Sequence, residues 1–245
     1  VRAVAALDHP GIIMILDFGE IPDDVPDAYF VPGSPYLVTE LASHGSMASL
    51  ERQLEWFEIY DVLIALFEAL AHAHARGVIH RDVKPGNVLL AGSQDLRPGI
   101  KLTDFGISHA EDRRIRAPTI ANELSGTPEY MAPEQFDQRW RDYGPWTDLY
   151  AAGCLAYELI YGSTPFVGSI PAMAHGHRTL EPSFGTPRCV VPEGIDRWLT
   201  RMLAKDIRDR FQVAADAAWA LRRVAGAPSN PGQAAGLAVL SNLRG

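Results

Sequence analysis

The sequence predicts an α+β fold, in which two pairs of short strands are combined with a mainly helical second half. Three observations predict it. Apolar residues recur every three or four positions over residues 56–76, as on the buried face of a helix. Two short apolar runs, at 87–90 and 100–103, flank a turn-rich segment and predict a hairpin. Residues 148–161 are apolar on nearly every side, which indicates a helix inside a core.

The beginning of the chain predicts a helical turn, two strands and a hinge. Apolar residues at helical spacing over residues 1–7 predict a short helix, which the sequence Asp-His-Pro-Gly at 8–11 ends. Residues 12–18 form an apolar run between two glycines and predict a strand. Residues 36–41 predict a second strand, paired with the first. The sequence Ser-His-Gly-Ser at 43–46 then predicts a hinge.

Amphipathic patterns predict two more helices, at residues 195–203 and 213–224. His175 and His177 lie in a glycine-containing stretch and are predicted to be loop residues. The polar segment 108–124 has no periodicity and predicts a long loop, a class of segment that is usually functional or disordered.

Charge and cysteine content exclude several function classes. The 245 residues carry 22 Lys and Arg against 30 Asp and Glu, and the formal net charge of −8 disfavours a nucleic-acid partner. Cys154 and Cys189 form no C-x-x-C pair, so the sequence predicts neither a cysteine metal site nor a disulfide framework. A reducing, cytoplasmic location is therefore favoured. No segment has the roughly 18 apolar residues that would span a bilayer.

Three segments carry residues with recognisable chemistry. They are His-Arg-Asp-Val-Lys-Pro-Gly-Asn at 80–87, Asp-Phe-Gly at 104–106, and Gly-Thr-Pro-Glu-Tyr-Met-Ala-Pro-Glu at 126–134. Their order and content resemble the protein kinase signatures HRD-x-x-x-x-N, DFG and APE. The residues in these segments are most similar to those of the eukaryotic-like (Hanks-type) serine/threonine kinases of bacteria. The resemblance implies an α+β, protein-kinase-like fold with a mostly α-helical C-lobe and a truncated β N-lobe.

The resemblance also implies a division of the chain. Residues 1–42 would be a remnant of the N-lobe with the hinge, residues 43–225 the C-lobe, and residues 226–245 a flexible linker or tail. The sequence contains no G-x-G-x-x-G loop, no V-A-I-K-like strand and no helix glutamate to pair with its lysine. We therefore expect this chain by itself to bind ATP weakly and to transfer phosphate negligibly.

The resemblance assigns the chemistry of ATP and Mg²⁺ to a few polar residues. Asp82 would accept the proton of the substrate hydroxyl, and Lys84 would lie near the transferred phosphate. Asp104 and Asn87 would bind Mg²⁺, which suits their oxygen atoms. Thr127 would help to hold the base and the acceptor segment. Protein serine and threonine hydroxyls are the implied acceptors.

The resemblance also implies that adenine binds at the second predicted strand and at the residues that follow it. Thr39 would be the gatekeeper, and backbone groups of Glu40 and Ala42 would meet the adenine edge. Leu89 would pack beneath the ring. The loops at 20–35 and 91–99 are somewhat long, and neither is expected to touch this site.

Other residues receive regulatory or structural roles from the resemblance. Arg81 would bind a phosphate on the loop between the second and third signatures, with Thr119 and Ser125 as candidate acceptors. Structural roles are expected for His80, which would support Phe105 next to Gly106, for Asp148, which would anchor the catalytic loop, and for Glu134, which would pair with Arg210.

Two other function classes stay open at this point. The chain could be a non-catalytic, kinase-like scaffold that binds partners, because the Gly-rich loop and its lysine are missing. It could also resemble a small-molecule kinase, but the segment Glu-Tyr-Met-Ala-Pro-Glu at 129–134 is typical of kinases that dock peptides. Additional domains of a longer protein are compatible with all three.

Overall fold

The computed structural model describes residues 2–25, 29–105 and 126–226. Its regular elements are α1 (Arg2–Ala5), β1 (Ile15–Glu20), β2 (Pro35–Thr39), α2 (Trp56–His74), β3 (Val88–Ala91), β4 (Gly99–Leu102), α3 (Pro133–Phe136), α4 (Pro145–Tyr161), α5 (Ile170–Thr179), α6 (Ile195–Met202) and α7 (Ala214–Ala225). Single 3₁₀ turns include Pro85–Asn87 and Pro128–Tyr130. The predicted α+β fold, mainly helical after the strands, is confirmed.

Both predicted strand pairs are present, and both are antiparallel. In the first, Ile15 lies opposite Thr39, with an irregular register before Asp17. In the second, Val88 lies opposite Leu102 and Ala91 opposite Gly99. Each pair forms a separate two-stranded sheet.

The first pair of strands is shifted relative to the prediction of residues 12–18 and 36–41. Residues 11–13 instead pair with β4: the Leu102 N–H donates to the Gly11 carbonyl at 2.8 Å, and the Ile13 N–H donates to the Leu102 carbonyl at 3.0 Å. The chain therefore crosses β4 before it enters β1. Ile12 is fully buried by this crossing, which explains its place in an apolar run.

Helix α2 forms the centre of the core, and it ends within two residues of the predicted position. Its buried positions follow the helical repeat and include Ile59, Leu63, Leu66, Phe67 and Leu70. At its end, Gly77 adopts a left-handed backbone with φ of 72°, and its N–H donates to the His74 carbonyl at 2.9 Å.

Helix α4 packs against α2 and is buried along almost its whole length, as its uniform apolar sequence predicts. Gly153 allows α6 to approach closely, because a Cβ at this position would lie 2.8 Å from the Cβ of Met202. Gly162, with φ of 85°, ends the helix. No helix in the described ranges is both long and apolar enough to cross a lipid bilayer.

The prediction that His175 and His177 are loop residues is wrong, because both belong to α5. Gly176 is tolerated in this helix for a packing reason: a Cβ there would lie 2.7 Å from Cδ1 of Phe166. His177 is fully buried, and its ring stacks on Phe136 with centroids 5.4 Å apart. Helix α5 is therefore stabilised by tertiary packing more than by its own propensities.

Candidate active site

The segment that begins at His80 is held by a buried carboxylate in the first turn of α4. Asp148 accepts the N–H groups of His80 at 2.8 Å and of Arg81 at 2.7 Å. Its Oδ2 also lies 2.7 Å from Nε2 of His74, at the end of α2. One carboxylate thus joins this loop to two core helices.

Two residues of the site have a left-handed backbone that is uncommon for side chains other than glycine. Arg81 has φ of 72° and Asp104 has φ of 61°. Such conformations are strained and persist only where the surroundings enforce them. For Arg81 the enforcement is visible, because its N–H is bound by Asp148 and its carbonyl accepts from Nε2 of Gln135 at 2.8 Å.

Asp82 lies at the centre of a compact polar group. Its Oδ2 is 2.7 Å from Nζ of Lys84 and accepts from Nδ2 of Asn87 at 3.1 Å. Its Oδ1 accepts from the hydroxyl of Thr127 at 3.3 Å, and that hydroxyl accepts from Lys84 at 2.8 Å. Both carboxylate oxygens are therefore oriented, while about a quarter of the Asp82 side chain stays exposed, at 26%. This arrangement suits a base that must reach a substrate.

The segment that carries Asp104 is bonded to Asn87. The Thr103 N–H, one residue before Asp104, donates to the Asn87 carbonyl at 2.9 Å. Since Nδ2 of Asn87 is used on Asp82, its side-chain oxygen is available to a cation. No cluster of three or more His, Cys, Asp or Glu suited to a metal occurs in the described parts of the chain. A site with few protein ligands fits Mg²⁺, which is usually completed by phosphates and water.

His80 supports this site from inside the core. Its ring lies 4.6 Å from that of Phe105, centroid to centroid. The Asp82 N–H donates to Nδ1 at 3.2 Å, so the proton belongs on Nε2, which donates to the Thr103 carbonyl at 2.7 Å. Burial lowers the pKa of His80, which keeps the ring neutral. A neutral, fully bonded imidazole positions the neighbouring loops and is not exposed to substrate.

After β2, residues 40–46 lead to β3, where the His44 N–H donates to the Leu90 carbonyl at 3.0 Å. The Glu40 N–H donates to the Met14 carbonyl at 3.0 Å. Within the described ranges, the Glu40 carbonyl and the Ala42 N–H have no backbone partner, so one acceptor and one donor are free two residues apart. Leu89 is the half-exposed residue of the otherwise buried strand β3. A planar heterocycle with a donor and an acceptor on one edge would fit here.

The segment from Thr127 to Glu134 is fixed to the helical core by three contacts. Arg210 donates to Glu134 through two nitrogens at 2.9 and 3.0 Å, and both side chains are fully buried. The hydroxyl of Thr147 donates to the same carboxylate at 2.9 Å. Tyr130 donates to Glu158 of α4 at 2.6 Å, and burial together with this bond raises the pKa of its phenol.

The structure corrects one expectation about the site and leaves others outside its range. The loop at 91–99, expected to be remote, contacts Glu40 through Arg97 at 2.6 Å. No periodic pattern could have revealed this pairing, since the two residues lie in separate loops. Likewise, sequence reasoning missed Gln135, which binds the Arg81 carbonyl. Gly106 and the candidate acceptors Thr119 and Ser125 lie outside the described residues.

Comparisons with known proteins agree with this geometry. The family model described as protein kinase domain matches residues 1–218. The chain is 32% identical over 229 residues to a probable serine/threonine-protein kinase, PknB, of Corynebacterium glutamicum, covering 89% of this chain and 33% of that protein. It is 35% identical over 251 residues to the serine/threonine-protein kinase Pkn1 of Myxococcus xanthus, covering 98% and 34%. The chain thus spans about a third of the length of the curated relatives it matches.

Proposed function

The chain belongs to the protein kinase family, among the bacterial Hanks-type serine/threonine kinases, and from this premise we propose that it carries a site for transfer of the ATP γ-phosphate to serine and threonine hydroxyls of proteins. The observation that carries the proposal is the polar group around Asp82, with Lys84, Asn87 and Thr127 in contact and the segment that carries Asp104 bonded to Asn87. Phosphoryl transfer needs positioning and charge neutralisation more than covalent chemistry, and this group offers both.

Each residue has a distinct task in this proposal. The substrate hydroxyl oxygen attacks the γ-phosphorus, the bond to the β-phosphate oxygen breaks, and Asp82 takes the hydroxyl proton. Thr127 donates to Asp82 and so orients the carboxylate. Lys84 supplies positive charge next to the transferred phosphoryl group. Mg²⁺, held by Asp104 and Asn87, would neutralise charge on the phosphates.

The nucleotide base would be bound at the segment that follows β2. The free Ala42 N–H would donate to the adenine edge and the free Glu40 carbonyl would accept from it. Leu89 would pack on the ring face, with Thr39 at the back of the pocket. Arg81, whose Nε is buried without a hydrogen-bond partner in the described structure, is a candidate ligand for a phosphate on the adjoining loop.

We expect the 245-residue chain by itself to bind nucleotide weakly. Its sequence has no G-x-G-x-x-G loop to cover the phosphates, and it has only three lysines. Of these, Lys84 contacts Asp82, Lys101 is fully buried beside Glu40, and Lys205 donates to the Tyr150 hydroxyl in the helical core. None of the three replaces the strand lysine that binds the α- and β-phosphates in kinases. The second candidate function is a kinase-like module that binds partners without catalysis.

Titration with Mg²⁺-ATP, followed by NMR at millimolar ligand, tests the proposal. Wild type and the control Asp216→Ala, an exposed carboxylate on α7, should show the same saturable binding, and Asp104→Ala should bind at least about tenfold more weakly. In a long incubation with radioactive ATP, Asp82→Asn should abolish trace transfer to serine or threonine peptides but retain binding. Absence of Mg²⁺-dependent binding in wild type would overturn the proposal in favour of the scaffold.

A further inference from the structure

The loop between β3 and β4 reaches the segment that leaves β2. Asp95 of this loop accepts the N–H of Ser43 at 2.8 Å and the N–H of Gly92 at 2.7 Å. The Ser43 amide is one residue beyond Ala42. A carboxylate from the hairpin loop therefore fixes the backbone immediately after the groups that we assign to the adenine edge.

Arg97 of the same loop fixes the other side of that segment. Its guanidinium donates to the two oxygens of Glu40 at 2.6 and 3.3 Å. It also donates to the Ile12 carbonyl at 3.1 Å and to Asp8 at 3.1 Å. The Glu40 carboxylate in turn accepts the Met14 N–H at 2.8 Å. One guanidinium thus joins the end of β2 to the segment before β1.

A buried lysine completes this charge cluster. Lys101 of β4 is fully buried, donates to the Pro10 carbonyl at 2.5 Å, and lies 3.7 Å from the Glu40 carboxylate. Burial alone would raise the pKa of Glu40, but the hydrogen bonds from Arg97 and the Met14 N–H outweigh it, and its pKa is lowered. Glu40 is therefore a buried, ionised side chain whose hydrogen bonds all lead to neighbouring segments.

A buried ion pair contributes little net stability compared with an apolar replacement, yet it permits only a few geometries. The cluster holds the side chain of Glu40, and Asp95 holds the amide of Ser43, which follows Ala42. We propose that Asp95 and Arg97 are positioning residues, which fix residues 40–43 against the β3–β4 hairpin and so set the donor and acceptor that meet the adenine edge. The nucleotide part of this inference rests on the proposed function.

Amide hydrogen exchange on the full chain tests the positioning role without any ligand. In Arg97→Met, the amides of Met14 and Glu40, which bond to each other's residue, should exchange roughly tenfold faster or more, because the Glu40 carboxylate that accepts the Met14 N–H loses its fixed position. The α2 amides of Leu63 and Phe67 should not change. A purely structural loss of stability would accelerate both sets alike, and that result would overturn the proposal.

Arg52→Met is the matched control. Arg52 also donates to a buried glutamate through two nitrogens, Glu58 at 2.5 and 2.9 Å, but it lies at the start of α2. This variant should leave exchange at residues 14, 40 and 43 unchanged, and an equal response there would contradict the inference. If Arg97→Met does not fold, Asp95→Ala takes its place, with Ser43 as the reporting amide, since Asp95 is partly exposed and its loss is milder.

Nucleotide binding tests whether the fixed position of residues 40–43 affects the affinity for Mg²⁺-ATP. The dissociation constant for Mg²⁺-ATP should rise several-fold in Arg97→Met and stay unchanged in Arg52→Met. Faster exchange of the Met14 and Glu40 amides with unchanged affinity would overturn the nucleotide part. Absence of any binding by wild type would overturn the proposed function together with that part, while the exchange measurement would still decide whether Asp95 and Arg97 fix this segment.

Discussion

The two strand pairs of this molecule have nearly the same length and opposite surroundings. In β3–β4 most residues are buried, and β4 packs against α2. In β1–β2, the side chains of Leu16, Phe18, Leu37 and Val38 are between 40% and 56% exposed. Both pairs are antiparallel and similarly apolar, so the difference comes from what covers them and not from their pairing.

The comparison explains how the proposed site is built. Asn87, Leu89 and Asp104 belong to or flank the buried pair, whereas Thr39 ends the exposed pair and Glu40 follows it. One part of the proposed site is therefore part of the core, and the other is joined to it by the contacts of Arg97 with Glu40.

The same contrast between buried and exposed surroundings applies to ion pairs, and there we expect the largest effect on the free energy of unfolding. Arg210→Met should lower the free energy of unfolding by about 3–5 kcal/mol, because it leaves the buried Glu134 carboxylate without its partner. Arg222→Met removes an exposed pair with Glu68 at 2.7 Å and should change it by about 0–1 kcal/mol. Urea denaturation of both variants measures the difference. Equal losses would show that burial does not decide the contribution.

A smaller effect should separate the two strand pairs directly. Leu102→Ala in β4 should lower the free energy of unfolding by about 2–5 kcal/mol, because the fully buried side chain leaves a cavity. Leu37→Ala in β2 removes a side chain that is 40% exposed and should cost less than about 1 kcal/mol. Thermal and urea unfolding of both proteins would test this, and a similar loss in each would refute the contrast.

The smallest expected effect concerns pH in the buried part of the molecule. Burial lowers the pKa of His177 from 6.5 to about 3, so the unfolded chain binds more protons below pH 6.5. The contribution of neutral His177 to the free energy of unfolding should therefore be present above that pH and be lost as the pH falls. The expected loss is about 2 kcal/mol between about pH 7.5 and pH 5.

Two variants on α5 isolate this contribution. His177→Gln should reduce the acid dependence of the unfolding free energy, measured by urea titration at each pH. His175→Gln, at the exposed position two residues earlier, should retain the dependence of the wild type. An unchanged acid dependence in His177→Gln would show that other groups are responsible.

The parts of the fold that the sequence predicted well are those with a local pattern. Helices α2 and α4 and the β3–β4 hairpin have an apolar periodicity that directly reflects their burial. The signatures around Asp82, Asp104 and Glu134 are local patterns as well, and the roles of these residues are the proposals for which experiments are given above. Gly176 weakened the helical pattern of α5, and its close packing against Phe166 explains why a glycine stands within this helix.

The rest of the site depends on contacts between distant parts of the chain. The pairing of Arg97 with Glu40 joins two loops that are 57 residues apart, and neither carries a repeat that would identify the partner. The displacement of β1 has a similar origin, since Ile12 forms a bridge to Leu102. Pairing with a distant strand decides here where β1 begins, and such long-range pairing leaves no periodic pattern in a single sequence.

The left-handed backbone at Arg81 and Asp104 lowers thermal stability at two residues that the proposed function requires. Each such conformation costs about 1–3 kcal/mol for a residue with a side chain, and glycine would adopt it without that cost. A chain selected only for resistance to heat would favour glycine at both positions. The guanidinium and the carboxylate occupy them instead, so the melting temperature of this protein is expected to lie below the value that its core could support.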